Sequence, residues 1–372
     1  MTKFTPLVES LPATIPFVSP EESERSRGRP FRARIGANES VFGPSPRAVA
    51  AMAEAAAESW QYCDPSSFEL RAALAADHGI SAEMIRMGEG IDGLLGLTVR
   101  LFVGAGDRVV TSAGAYPTFN YHVAGFGGAL VTVPYAGDHE DPEALAEAAQ
   151  RTGARLVYIS NPDNPMGSWH GAARIEALIA ALPAGCTLCL DEAYIEFAPQ
   201  GTSPRIDPDD PRVLRFRTFS KARGMAGLRI GYVIGAREVV AGLDRIRNHF
   251  GVNRVAQAGA LASLADSVHL AEVQAEVATS QRRLAEIAGE NGLTALPSAA
   301  NFVAIDCGQD GAFAKRVVAA LAARDVFVRM PGVAPLDRCI RVSCGREAEM
   351  AAFAEALPAA LAESQPATFC PD

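Results

Sequence analysis

Residues 217–232 read RTFSKARGMAGLRIGY. The apolar stretch VLRF at 213–216 runs into this segment and LRIGYVIG at 228–235 runs out of it, so the segment joins two strands. Between them Thr218, Ser220, Lys221 and Arg229 surround a loop loosened by Gly224 and Gly227. Alone, a lysine in a glycine-containing loop is most often a surface residue, and Arg229 an ordinary charge at a strand end. The upstream segments change that reading. DEAYIEF at 191–197 sets Asp191, Glu192 and Tyr194 at the end of the apolar run TLCL, and NPDNPMG at 161–167 sets Asn161 and Asn164 at the end of RLVYIS. Loop polarity and turn chemistry would each explain one such cluster. Three at successive strand ends, in this order, point to a shared site.

The wider pattern gives the architecture. Helical segments are read at 44–60, with Ser45 as N-cap and Pro46 at the first position, and at 68–79, 91–102, 141–153 and 171–182. Short apolar strands are read at 84–90, 107–112, 129–135, 155–162 and 187–194. Strands alternating with helices imply an α/β fold with a mostly parallel sheet covered on both faces, where ligands gather at the carboxyl ends of strands. Two long helices are expected after LRIGYVIG, at 237–250 and about 253–291. The remaining strands and helices resemble an α+β appendage. The expected division is an N-terminal arm at 1–43 joining the small domain and a dimer partner, a large domain at 44–255 and a small C-terminal domain at 256–372.

Composition excludes several classes. Over 372 residues, 34 Lys and Arg stand against 43 Asp and Glu, a formal charge of −9, which argues against nucleic-acid binding. Hydrophobic residues at 49% and charged residues at 21% are ordinary for a globular chain. No window reaches the ~18 apolar residues of a membrane helix, and the N-terminus lacks the pattern of a secretory signal. Seven scattered cysteines suit reduced thiols in a cytoplasmic protein. Cys186 and Cys189 have CxxC spacing but sit in the apolar run CTLCL, where a core reading prevails over metal or redox chemistry, and no metal site is expected.

Gly88, Gly90 and Gly93 spell GxGxxG between a strand and a helix, the dinucleotide pattern. The strand expected to end in a ribose-binding acid instead ends in Thr111 and Ser112. The safer reading is an anion site at a helix N-terminus, which takes a phosphate without a dinucleotide. Lysine, carboxylate, hydrogen-bond donors and phosphate site together are what pyridoxal 5'-phosphate chemistry requires.

With these motifs the sequence resembles the fold-type I pyridoxal phosphate aminotransferases, and among them the histidinol-phosphate aminotransferases. The likeness runs through GANESVFGPSP at 36–46, YCDP at 62–65, GIDG at 90–93, AYPTF at 115–119, NPDNPMG, DEAYIEF, RTFSKARGMAGLRIGY, VNRVAQ at 252–257, SAANF at 298–302 and IRVSCG at 340–345. It implies that Lys221 carries the cofactor and moves the Cα proton, that Asp191 pairs with the pyridine nitrogen, and that Tyr194 and Asn164 meet the phenolic oxygen. Tyr116 would stack on the ring. The amides of Ile91 and Asp92, the hydroxyls of Thr218 and Ser220, and Arg229 would hold the phosphate, and Tyr62 would reach it from the other subunit of a homodimer. Arg341 would bind a substrate carboxylate, and Arg329, Phe17 and Asn38 would complete substrate binding.

Two departures from the family pattern stand out. GIDG loses a hydroxyl and an acid found in the usual phosphate motif, leaving backbone amides. Pro16-Phe17 stands where a Pro-Tyr pair is expected; losing one donor to a buried phosphate would weaken binding by about 1.5–3 kcal/mol. The leading expectation is ping-pong amino transfer between histidinol phosphate, or a related amino acid, and 2-oxoglutarate or glutamate. The alternatives are an aromatic or broad-specificity aminotransferase, a phosphoamino-acid decarboxylase on the same fold, a nicotinamide-dependent oxidoreductase and a non-catalytic regulatory relative.

Overall fold

The computed structural model describes residues 3–12 and 19–365. Phe17 lies outside them. In the N-terminal segment a helix at Pro20–Arg27, capped by Ser19 and closed by left-handed Gly28, leads to a short strand, β1 (Ala33–Arg34).

The central sheet has seven strands: β2 (Ile85–Gly88), β3 (Arg108–Ser112), β4 (Ala129–Val133), β5 (Leu156–Ser160), β6 (Thr187–Asp191), β7 (Val213–Thr218) and β8 (Gly231–Ile234). Their order is β2-β8-β7-β6-β5-β3-β4, all parallel except β8, which runs antiparallel to both neighbours. The sequence explains the layering. β5 and β6 are continuous apolar runs buried at every position, as strands covered on both faces must be. Edge strand β4 is only partly buried. Because side chains alternate, Val157, Ile159, Leu188 and Leu190 enter one core with Ile175 and Leu178, while Leu156, Tyr158, Cys189 and Phe216 enter another with Leu94 and Phe119. Cys186 belongs to the first cluster and Cys189 to the second, so the CxxC spacing fills two cores.

Register aligns the functional segments. Ser160 pairs with Asp191, Asp191 with Phe216, Thr218 with Gly231, and Gly231 with Gly88. The carboxyl ends of β5, β6, β7 and β2 therefore share one edge of the sheet. Gly231 must be glycine for this: a Cβ would stand 2.8 Å from the Arg217 carbonyl and 3.2 Å from the Gly90 carbonyl carbon.

The rest of the chain adds β9 (Thr294–Ala295), β10 (Phe302–Asp306), β11 (Val326–Phe327) and β12 (Cys339–Ser343). β12, β10 and β9 form an antiparallel sheet, and β1 pairs in parallel with β11. Helices Ser267–Glu290, Gly311–Ala323 and Glu347–Ser364 pack on these strands around Ile35, Phe313, Ile340 and Phe353.

The two long helices expected after β8 do not form. The first ends at Leu243, where Arg247 ties a turn to Asp244 at 2.6 Å and to the Pro65 carbonyl at 2.8 Å. The second is two helices, Arg254–Leu264 and Ser267–Glu290. Asp266 ends its predecessor by capping its successor, accepting from the His269 amide at 3.3 Å, a competition that short polar side chains often win. Replacing Asp266 with alanine should cost about 1 kcal/mol, read as a lower urea midpoint at unchanged m-value. An unchanged midpoint would mean that packing alone sets the break.

Candidate active site

A cavity of about 870 Å³ opens at the shared strand edge. Asn38, Ile91, Asp92, Tyr116, Asn164, Asp191, Tyr194, Thr218, Ser220, Lys221, Arg229, Arg329 and Arg341 all line it. Tyr62 does not: it is 80% exposed and rests on Phe250, with ring centroids 4.9 Å apart.

One end is built for an anion. The helix Gly90–Phe102 starts there, so the amides of Ile91 and Asp92 belong to a first turn with no acceptor inside the helix. Gly90 has φ +74°, and a Cβ on it would collide with the Arg229 guanidinium. Arg229 itself adopts φ +52° and donates to the Ala226 carbonyl at 3.0 Å. Asp92 lies 3.7 Å from Arg229 and accepts from the Tyr116 hydroxyl at 2.8 Å. Thr218 accepts from the Ser220 amide at 3.0 Å, folding both hydroxyl residues into one turn.

The opposite requirement, a buried negative charge, is met by Asp191. Its carboxylate accepts from the Tyr158 hydroxyl at 2.8 Å and the Ala193 amide at 2.9 Å. Burial raises its pKa to about 6, against the pull of those two donors. Neighbouring Glu192 fares differently. Burial opposes its charge, but Arg217 and Arg215, at 2.9 and 2.7 Å, prevail and hold it below the usual carboxylate range.

Lys221 lines the same cavity. Its ammonium donates to the Asn38 carbonyl at 2.9 Å and sits 5.6 Å from the centre of the Tyr194 ring. Burial, reinforced by nearby Arg341, lowers its pKa to about 8. The Tyr194 hydroxyl accepts from Asn38 Nδ2 at 3.1 Å, and burial pushes its pKa up to about 12. Arg341 donates to Asn164 Oδ1 at 2.6 Å, while its buried Nε has no hydrogen-bond partner. A backbone bridge between residues 329 and 341 brings a second arginine, Arg329, to the same wall. An amine and a carboxyl group that titrate near neutrality in one cavity are equipped to move protons. Among the described residues no cluster of His, Cys, Asp and Glu could hold a metal ion, and no helix is long and apolar enough to cross a membrane.

Residues 34–357 match the family of class I and II aminotransferases. The chain belongs to that family. A histidinol-phosphate aminotransferase of Anaeromyxobacter sp. (strain Fw109-5) is 37% identical over 350 residues, 92% of this chain and 95% of the relative. One from Symbiobacterium thermophilum is 35% identical over 364 residues, covering 98% and 100%. The crystal structure of histidinol-phosphate aminotransferase from Sinorhizobium meliloti in complex with pyridoxal-5'-phosphate is similar at a TM-score of 0.94, with 52% identity and 98% of each chain covered.

This aminotransferase also uses residues that the sequence did not single out. Tyr158 reads as one more apolar strand position, yet it is the hydroxyl donor to Asp191. Its signal was positional: it lies two residues before the end of the strand beside Asp191. Asn301 donates to the Asn38 carbonyl at 3.2 Å, the same oxygen that receives Lys221.

The Asp191 shift carries a stability consequence. A carboxyl group whose folded pKa is raised stabilises fully below its unfolded value of about 4 and loses that contribution as pH rises through about 6. Asp191→Asn should therefore raise the stability of the cofactor-free chain above pH 6, by up to about 3 kcal/mol, with no gain in acid. Thermal melts across that range test this; a gain equal at every pH would contradict it.

Proposed function

We propose that this aminotransferase works with pyridoxal 5'-phosphate and moves an amino group between histidinol phosphate and 2-oxoglutarate, with glutamate as donor in the biosynthetic direction. The observation that carries this reading is one cavity lined by Lys221, the Asp191 carboxylate and the Ile91–Asp92–Arg229 anion cradle. The residues present fit the cofactor: the cradle has no room for a Cβ at Gly90, and among the described residues no basic side chain hydrogen-bonds to the buried Asp191 carboxylate. When bound, pyridoxal phosphate supplies an electron sink for the charge left when the Cα–H bond breaks.

The chain's own groups do the rest. The Ile91 and Asp92 amides, Thr218, Ser220 and Arg229 hold the phosphate, and Asp191 stabilises a protonated ring nitrogen. Tyr116 covers the ring, and Tyr194 and Asn164 meet its phenolic oxygen. Lys221, its amine made less basic by burial and Arg341, moves the proton at Cα. Arg341 can pair with the carboxylate of glutamate, and Arg329 offers a second positive charge for a substrate phosphate. The amide of Asn38 steers Tyr194 and its carbonyl receives Lys221, which makes it a positioning residue within the substrate wall. Tyr62 reaches the phosphate of a second subunit; in support, Trp60, Tyr62 and Phe68 form an exposed apolar run suited to a homodimer. The six described cysteines are buried and unpaired, which supports a reducing, cytoplasmic setting.

Mixing the holoenzyme with histidinol phosphate in the absence of any keto acid tests the substrate. Rapid, saturable loss of the visible cofactor absorption is expected. Inertness toward histidinol phosphate alongside reaction with an aromatic amino acid would overturn the substrate and leave the reaction class standing. Lys221→Ala should lose the yellow colour and at least about 100-fold in kcat. A yellow variant with normal turnover would sink the assignment of Lys221.

A further inference from the structure

Next to the cavity, but not lining it, Glu140 and Asp163 are 1% and 2% exposed, and their carboxyl groups lie within hydrogen-bonding reach of each other. Asp163 immediately precedes Asn164 in NPDNPMG, and Glu140 comes from the loop after β4. Glu140 accepts from the Ser112 hydroxyl at 2.6 Å and the Ser160 amide at 2.9 Å. Asp163 accepts from the Tyr135 hydroxyl at 3.0 Å and the Met166 amide at 3.1 Å. Ser160 Oγ stands between them, 3.3 Å from Glu140 and 3.2 Å from Asp163, and it accepts from the Asn164 amide at 3.2 Å.

Counting protons exposes a shortfall. A serine hydroxyl carries one proton and can satisfy only one of the two carboxyl groups. No lysine or arginine among the described residues hydrogen-bonds to either. The facing groups do not make up the difference. Tyr135 keeps its proton, because burial and then Asp163 raise its pKa. His170 meets the Glu140 backbone carbonyl at 2.8 Å, with the His139 ring tilted beside it and Arg174 on its other nitrogen, and burial lowers its pKa. Arg341, Tyr194 and Tyr158 feel the pair's charge from farther off. Two bare carboxylates this close in a dry interior repel strongly, and the cheapest remedy is a retained proton.

We propose that Glu140 and Asp163 share one proton through Ser160 and that this pair acts as a positioning device for Asn164. The retained proton supplies the missing donor, so Ser160 Oγ stays oriented to receive the Asn164 amide. The single charge left on the pair faces Arg341 across Asn164, whose Oδ1 takes the Arg341 guanidinium. Burial of both groups, and then the Asp163 charge acting on Glu140, holds the shared proton above the usual carboxylate range. The positioning role rests on the function proposed above, in which Asn164 meets the cofactor; the shared proton does not.

Glu140→Gln is the diagnostic variant, because its amide replaces the proton with a fixed N–H donor at the same size. Infrared spectra of the full-length protein at neutral pH should contain a protonated carboxylic-acid carbonyl band in the wild type that Glu140→Gln removes. A carboxyl group that keeps its proton in the folded state stabilises fully in acid and less as pH rises. The wild-type melting temperature should therefore fall relative to Glu140→Gln with increasing pH, with a slope matching uptake of about one proton on folding. No acid band, or parallel pH–stability curves, would overturn the shared proton.

Positioning is read separately from the pH midpoint of the visible cofactor absorption in the holoenzyme. Glu140→Gln should keep the wild-type midpoint, whereas Glu140→Ala should shift it. If Glu140→Ala does not fold, Ser160→Ala severs the same link with both carboxyl groups in place. An unchanged midpoint in a folded Glu140→Ala or Ser160→Ala holoenzyme would reduce the pair to a structural role.

Discussion

The Asp191 carboxylate, almost shut off from water at the end of β6, is the constraint to which the rest of the site is fitted. A buried anion is costly unless something answers it. Among the described residues, a tyrosine hydroxyl and one backbone amide answer it. That arrangement stores the demand for a positive partner instead of satisfying it. Glu192, one residue later, shows the alternative: two arginines neutralise it, and it becomes scaffold. Neighbouring acids on one strand end thus take opposite fates because one faces the cavity core and the other faces basic side chains of β7.

The same dryness governs the cations. Lys221 and Arg341 are both made less willing to hold charge, burial being the larger cause in each. An arginine lowered only to about 10 still stays charged at neutral pH, whereas a lysine lowered to about 8 can exchange its proton. One physical cause therefore leaves one cation charged at neutral pH and the other near its midpoint. The separation depends on the strand register, since Asp191, Lys221 and the start of the Gly90–Phe102 helix meet only because β5, β6, β7 and β2 end on one edge.

Much of this was legible in the sequence because strand ends announce themselves. An apolar run followed by DEAY, NPDNP or TFSK marks where a buried segment gives way to chemistry. The long-range partners were less legible. Tyr158 looks like core until its neighbour is known, and the role of the Asn38 carbonyl depends on a backbone oxygen, which no residue type encodes. The helix break at 265–266 escaped a reading based on periodicity, since Asp266 interrupts the pattern by one residue and acts through a cap. Tyr62 lies away from the cavity, 80% exposed against Phe250, so its own chain does not show what it does.

The GxGxxG at 88–93 shows why local pattern and topology must agree. In a dinucleotide fold the strand after the first helix returns beside the first strand, bringing its terminal acid to the ribose. Here the chain leaves β2 at one edge of the sheet, and the next strand, β3, lies five places away, beyond β8, β7, β6 and β5. Its end carries Thr111 and Ser112 and no acid. The glycines answer different needs: a Cβ on Gly88 would stand 2.5 Å from Leu94, one on Gly90 would strike Arg229, and one on Gly93 would find ordinary space beside Glu89. Two of the three are thus explained by close packing and by the approach of a guanidinium to a helix start. What the motif retains is a helix start, whose first-turn amides suit an anion.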